Sequence, residues 1–149
     1  VLGKTTGPEV RAQALFRDRF IGVVRAGHPL GKGRVTASRY TRGRHVAVSR
    51  QGRATGIVDE ALLTHGLERN NAVIVGGFAT AIAMARSSDL IATVPERHTV
   101  GLRAGMHAFR LPFAMDEITV SLLWHPRMDA DPGHRWLRGV VREVCGARS

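Results

Sequence analysis

The sequence predicts an α/β fold, on three observations. Between Val46 and Leu102, short segments rich in β-branched residues alternate with helical segments of about ten residues, the pattern of parallel βαβ units. Hydrophobic residues make up 44% of the 149 residues, enough for a packed core and too many for a disordered chain. The last third runs strand, loop, helix: residues 118–124, the break His125-Pro126-Arg127, and a helix from Pro132 that carries Trp136-Leu137-Arg138.

Each element has its own signal. Residues 1–13 are polar, with glycine and threonine, and read as a loop or tail. Residues 17–25 (RDRFIGVVR) have a β-branched and aromatic centre and read as one strand, ended by Gly27-His28-Pro29. Gly31-Lys32-Gly33 is a loop, and Thr36 can cap a short helix over 37–41. HVAVS, residues 45–49, is a second buried strand, followed by a loop over 50–55. Residues 56–65 are helical, with Ile57, Ala61 and Leu62 repeating on one face and Gly66 as the stop. A third strand over 72–75 breaks at Gly76-Gly77, and 78–86 is an alanine-rich apolar helix. A fourth strand covers 90–94. Pro95 suits the first position of a helix over 96–102. Two further strands, 108–111 and 118–124, precede the closing helix over 132–144, whose apolar face is Trp136, Val140, Val141 and Val144.

Composition excludes several functions. The formal charge is +10, nearly all of it arginine; Lys4 and Lys32 are the lysines. The arginines are scattered and aromatic residues are only 5%. There is no stacking platform for single-stranded nucleic acid, and the cations read as solvated faces. No apolar run approaches the roughly 20 residues that span a bilayer. Residues 1–14 lack a basic-then-apolar export pattern, and the lone Cys145 suits a reducing compartment. The expectation is a cytoplasmic protein without membrane contact.

Catalytic patterns are equally scarce. Histidines at 28, 45, 65, 98, 107, 125 and 134 form no HExxH or HxH pair, so neither metal nor cofactor is expected. Asp59 and Glu60 are adjacent on one helix and point apart, so they are no acid/base pair. Ser49, Ser87 and Ser88 lack a GxSxG elbow. No residue is expected to be catalytic.

Two strand-to-helix corners remain, over 49–55 and 76–78. In a parallel sheet both lie at carboxyl ends of strands, where ligands bind in such folds. Helix N-termini there offer free N–H groups to an anion. Gly52, Gly76 and Gly77 would let a ligand approach the backbone. Phe78 either covers an apolar ring or fills the core. Arg97 and Arg103, beyond Pro95, either meet a carboxylate or lie on the surface.

Several segments carry a family likeness through their order and spacing. They are FRDRFIGVVRAGHPL (16–30), His45-Val46, Gly52 with Val58-Asp59, Gly76-Gly77-Phe78, SDLIATVP (88–95), Trp124-His125, Asp131-Pro132 and Trp136-Leu137-Arg138. Over residues 15–144 the chain resembles the C-terminal effector-binding domain of LysR-type transcriptional regulators, nearest to the branch that senses aromatic acids and nodulation flavonoids. The resemblance implies a type 2 periplasmic-binding-protein-like fold, two α/β lobes joined by two crossover strands with an effector between them. It divides the chain into a tail (1–14), a crossover strand (15–25), a complete lobe (26–105), and the return strands and C-terminal helix of an incomplete other lobe (106–149). The family's winged helix-turn-helix, its linker helix and half of the first lobe would precede Val1, so a fragment is expected.

For the site, the resemblance implies effector contacts at His45, Ser49, Arg50, Gly52, Gly76, Gly77, Phe78 and Pro95. His45 matches a family histidine that either faces the cleft or is satisfied in the core. Gly76-Gly77 departs from the more usual proline-containing turn. The implied partners are a small organic, aromatic acid; further copies of the chain, as dimer or tetramer; DNA through the absent helix-turn-helix; and RNA polymerase. The competing readings are a small solute-binding protein and an enzyme on the same scaffold.

Overall fold

The computed structural model describes residues 9–146. Within it the chain divides into two compact units, one spanning Arg19–Asp116 and one comprising the described residues up to Asp18 together with those from Glu117 onward.

The first of these is built on a five-stranded sheet. Its strands are β2 (Phe20–Val24), β3 (Arg44–Val48), β4 (Asn70–Val75), β5 (Ile91–Pro95) and β6 (His107–Arg110), following β1 (Arg11–Asp18) of the other unit. The sheet order is β4-β3-β5-β2-β6. β3 is parallel to β4 and β5, whereas β2 is antiparallel to β5 and β6. Every residue of β2 and β5 is buried, which is why both read as near-continuous apolar runs.

Helices cover both faces. α3 (Phe78–Arg86) sets Ala81, Ile82 and Ala85 against Ile21, Val23, Val46, Ala92 and Val94, the main core. On the opposite face Tyr40 of α1 (Ala37–Arg42) is fully buried, its ring against His45, Phe109 and Phe113 and its hydroxyl 2.6 Å from Thr93 Oγ1. Phe109 lies over Gly22 so closely that a Cβ there would stand 2.2 Å from the ring. Thr36 caps α1 as its sequence predicts, its hydroxyl accepting from Arg39 N–H. α2 (Ile57–Thr64) ends before Gly66, whose φ of +69° suits glycine alone.

The other unit pairs β1 with β7 (Ile118–Trp124), antiparallel, with an irregularity between Ala14 and Phe16. α4 (Pro132–Gly146) packs through Arg138, which is 7% exposed. Its guanidinium lies 4.6 Å from the centre of the Trp124 ring and donates to the carbonyls of Met128 and Asp129. Trp124 Nε1 in turn donates to Asp129.

Five readings need correction. Residues 11–14 are strand rather than tail, because they pair with residues 121–124 of β7. The single strand expected over 17–25 is two, parted at Arg19. Pro95 closes β5 instead of opening a helix, and the stretch after it holds only a 3-10 turn, Val100–Leu102. α2 buries Val58, Asp59 and Leu62 and leaves Ile57 47% exposed. In α4, Trp136 and Val144 are exposed, 70% and 58%, and the buried position is a cation. A basic residue in an aromatic pocket is invisible to an apolar periodicity.

Candidate functional site

β3 and β4 run parallel with Val48 opposite Val75, so the two glycine-bearing corners leave adjacent strands at the same end. Ser49 N–H donates to Val75 O over 2.8 Å and extends the ladder one residue beyond the strands. This sets Ser49 beside Gly76. The first corner then closes on itself: Ser49 Oγ accepts from Arg53 N–H over 2.9 Å. Arg50 and Gly52 are exposed at its tip. In the second corner Gly76 and Gly77 lead directly into α3. A Cβ built on Gly52, Gly76 or Gly77 would meet no atom within 4 Å, so no side chain packs against these three glycines.

The two helix N-termini differ. At α2, Asp59 Oδ2 accepts from Gly56 N–H over 3.0 Å, and Glu60 adds a second acid to the first turn. The chain's own carboxylates occupy that positive end. At α3 the N-cap is Gly77, no side chain caps it, and the first turn carries no acid. Its orphan N–H groups and partial positive charge remain available to an external anion.

Phe78, the first residue of α3, is half-buried. Its ring meets Phe20 edge-on at 6.1 Å and His98 at 5.9 Å. Phe20 pairs with Pro95 at the carboxyl end of β5, so the three rings form a row at the strand end from which the corners leave.

One expected position falls elsewhere, and another is at the right strand end but buried. His45 is fully buried near the start of β3, four residues before Ser49 opens the corner. Its Nε2 lies 2.7 Å from Tyr40 O, and Tyr40 is also its ring neighbour. Burial pushes its pKa down to about 4. A neutral His45 donates from Nε2, which makes it a core residue rather than a cleft residue. Pro95 is likewise fully buried. Arg103 is committed internally, donating to Thr99 Oγ1 and Glu96 O.

The periodicity reading missed the network behind the first corner. Asp59 accepts from Arg69 Nε (2.9 Å), Gly56 N–H and Asn71 Nδ2 (3.2 Å), and Asn71 also donates to Ala54 O (3.3 Å). The Arg69 side chain is 3% exposed. Burial opposes ionisation of Asp59, but the bonds and charge of Arg69, with Gly56 and Asn71, outweigh it and hold the carboxyl below its usual range. The one signal in the sequence is an acid three residues after a helix cap, half of a capping box. Among the described residues no cluster of three or more His, Cys, Asp or Glu could hold a metal ion, and no helix is long and apolar enough to cross a membrane.

An open sheet with helices on both faces and paired corners at its carboxyl end defines an α/β ligand-binding domain. The chain belongs to the LysR substrate binding domain family, whose model matches residues 1–146. It is similar to the HTH-type transcriptional activator NagR of Ralstonia sp, 33% identical over 136 residues that make up 87% of this chain and 44% of NagR. Nodulation protein D 3 of Rhizobium leguminosarum bv. phaseoli is 33% identical over 132 residues, 85% of this chain and 43% of that protein. The regulatory domain of MexT, a transcriptional activator in Pseudomonas aeruginosa, superposes with a TM-score of 0.77 at 25% identity, covering 95% of this chain and 69% of that one. The chain thus spans about half the length of the curated relatives it matches. Its fold is that of a LysR effector-binding domain, a type 2 periplasmic-binding-like architecture.

Proposed function

We propose that this chain is the sensing part of a cytoplasmic LysR-type regulator, and that it holds a small aromatic carboxylate at the open corners of its sheet. The observation that carries this reading is the pairing of two glycine-bearing corners on adjacent parallel strands, with free space at Gly52, Gly76 and Gly77 and one corner leading into an uncapped helix N-terminus. The carboxylate sits at the first turn of α3, and the aromatic body lies along Phe78. Ser49, Arg50 and Gly52 form the neighbouring wall. No covalent chemistry is involved. The effector acts by its differential affinity for two states of the regulator, which associates as an oligomer and reaches DNA through a domain outside this chain.

Benzoate and substituted benzoates tested by thermal shift, with benzamide as the neutral control, probe the reading. At 100 times Kd a ligand that binds only the folded state stabilises it by about 2.7 kcal/mol, so the acids raise Tm and benzamide does not. Gly76→Glu places a carboxylate at the corner where a side chain has room. It abolishes the shift while leaving the unliganded Tm unchanged. If no aromatic acid raises Tm, either in this chain or in a regulator carrying it, the reading fails.

A further inference from the structure

The sheet order ends on β6, which among the described residues pairs with β2 alone, so that no described strand covers its outer backbone edge. His107, Ala108 and Arg110 along it are exposed. Two grooves that share His107 lie beside this strand. One, of about 450 Å3, is lined by Arg34, Val35, Arg110 and Pro112 among others. The other, of about 340 Å3, includes Lys32 and Met106. Neither lining contains an aspartate or glutamate. Lys32, Arg34 and Arg110 enter none of the ion pairs among the described residues. The loop that carries two of these cations is fixed, because the Arg39 guanidinium donates to the carbonyls of Pro29 (2.8 Å), Lys32 (3.0 Å) and Arg34 (2.7 Å).

We propose that the β6 edge, with the two grooves beside it, docks an extended acidic peptide segment of a partner protein, added as a strand along β6 with its carboxylates against Lys32, Arg34 and Arg110. The choice of occupant follows from the groups on offer. An open strand edge presents alternating N–H donors and C=O acceptors. A peptide strand supplies the complement of both. A phosphodiester backbone only accepts, so it would leave the carbonyls of β6 without donors. A second copy of this chain would bring the same cations to the edge, and like charges opposed across strands destabilise pairing. An acidic strand has neither defect, and the apolar walls at Val35, Met106 and Pro112 suit its alternate side chains.

Fluorescence anisotropy with a labelled octapeptide of alternating glutamate and valine, titrated with the 149-residue chain at low salt, tests this. The peptide binds. Arg34→Glu and Arg110→Glu each weaken it at least tenfold, with melting curves checked against the parent chain. A lysine–valine octapeptide does not bind, nor does a fully N-methylated glutamate–valine one, which keeps the carboxylates and has no backbone N–H to donate. Amide NMR shifts of the unsubstituted chain map the contact to residues 107–110, a readout independent of whether the variants fold. Absence of binding, equal binding of the N-methylated peptide, shifts that bypass β6, or displacement by an oligonucleotide of equal charge would each overturn the proposal.

Discussion

At the scale of single residues, the buried Asp59–Arg69 pair carries the greatest local risk. Arg69 can find no water to replace its partner, since its side chain is 3% exposed. Removing one member of a buried pair leaves an uncompensated charge and costs about 3–5 kcal/mol. Asp59→Ala should therefore lower the urea midpoint by that equivalent and loosen the first corner, because Gly56 N–H loses its acceptor. His45 adds a pH dependence. Its folded pKa of about 4 lies below the ordinary 6.5, so between these values the unfolded chain binds a proton that the folded chain refuses. Stability is full above pH 6.5 and declines as pH falls toward 4, by on the order of 3 kcal/mol. Urea unfolding at pH 7, 6, 5 and 4.5 should show this slope. A flat profile would mean that His45 is solvated, contrary to its burial.

At the scale of elements, amphipathic patterns located helices well and their buried faces poorly. The apolar repeat in α2 named Ile57, which is exposed, and passed over Asp59, which is buried. In α4 it named Trp136 and Val144 and missed Arg138. Both errors share a cause: each helix packs through a charged group satisfied by a partner distant in sequence, Asp59 by Arg69 and Arg138 by the Trp124 ring. Strand packing follows a simpler rule. Gly22 leaves room for the Phe109 ring, and Gly22→Ala forces the ring away. Overpacking of this kind costs roughly 1–3 kcal/mol, readable as a lower denaturant midpoint. Gly76→Ala, with open space at the same atom, should leave stability within about 0.5 kcal/mol of the parent.

At the scale of the whole chain, the two units rest on different foundations. The five-stranded sheet buries β2 and β5 completely. Among its described residues the other unit has two paired strands and one α-helix, and isolated two-stranded sheets are marginal in water. Amide hydrogen exchange should protect β2, β3 and β5 most strongly and β1 and β7 much less. Equal protection throughout would show that a single cooperative core spans the chain.

The strands and helices between residues 37 and 95, the turns at Gly66 and Gly76-Gly77, the start of α3 and the family likeness were legible in the chain itself, because they depend on local chemistry: glycine at a stop, β-branched runs, a capping threonine. Which corner is open to an anion was not legible. Two similar helix starts differ only because Asp59 folds back onto one of them, and its partners arrive later in the chain, Arg69 from the loop before β4 and Asn71 from β4 itself. Nor could the sequence tell whether His45 faces a cleft or the core, since that depends on the Tyr40 carbonyl placed beside it by folding. Local propensity writes the elements; only the meeting of distant side chains decides which polar groups are already satisfied and which remain free for a ligand.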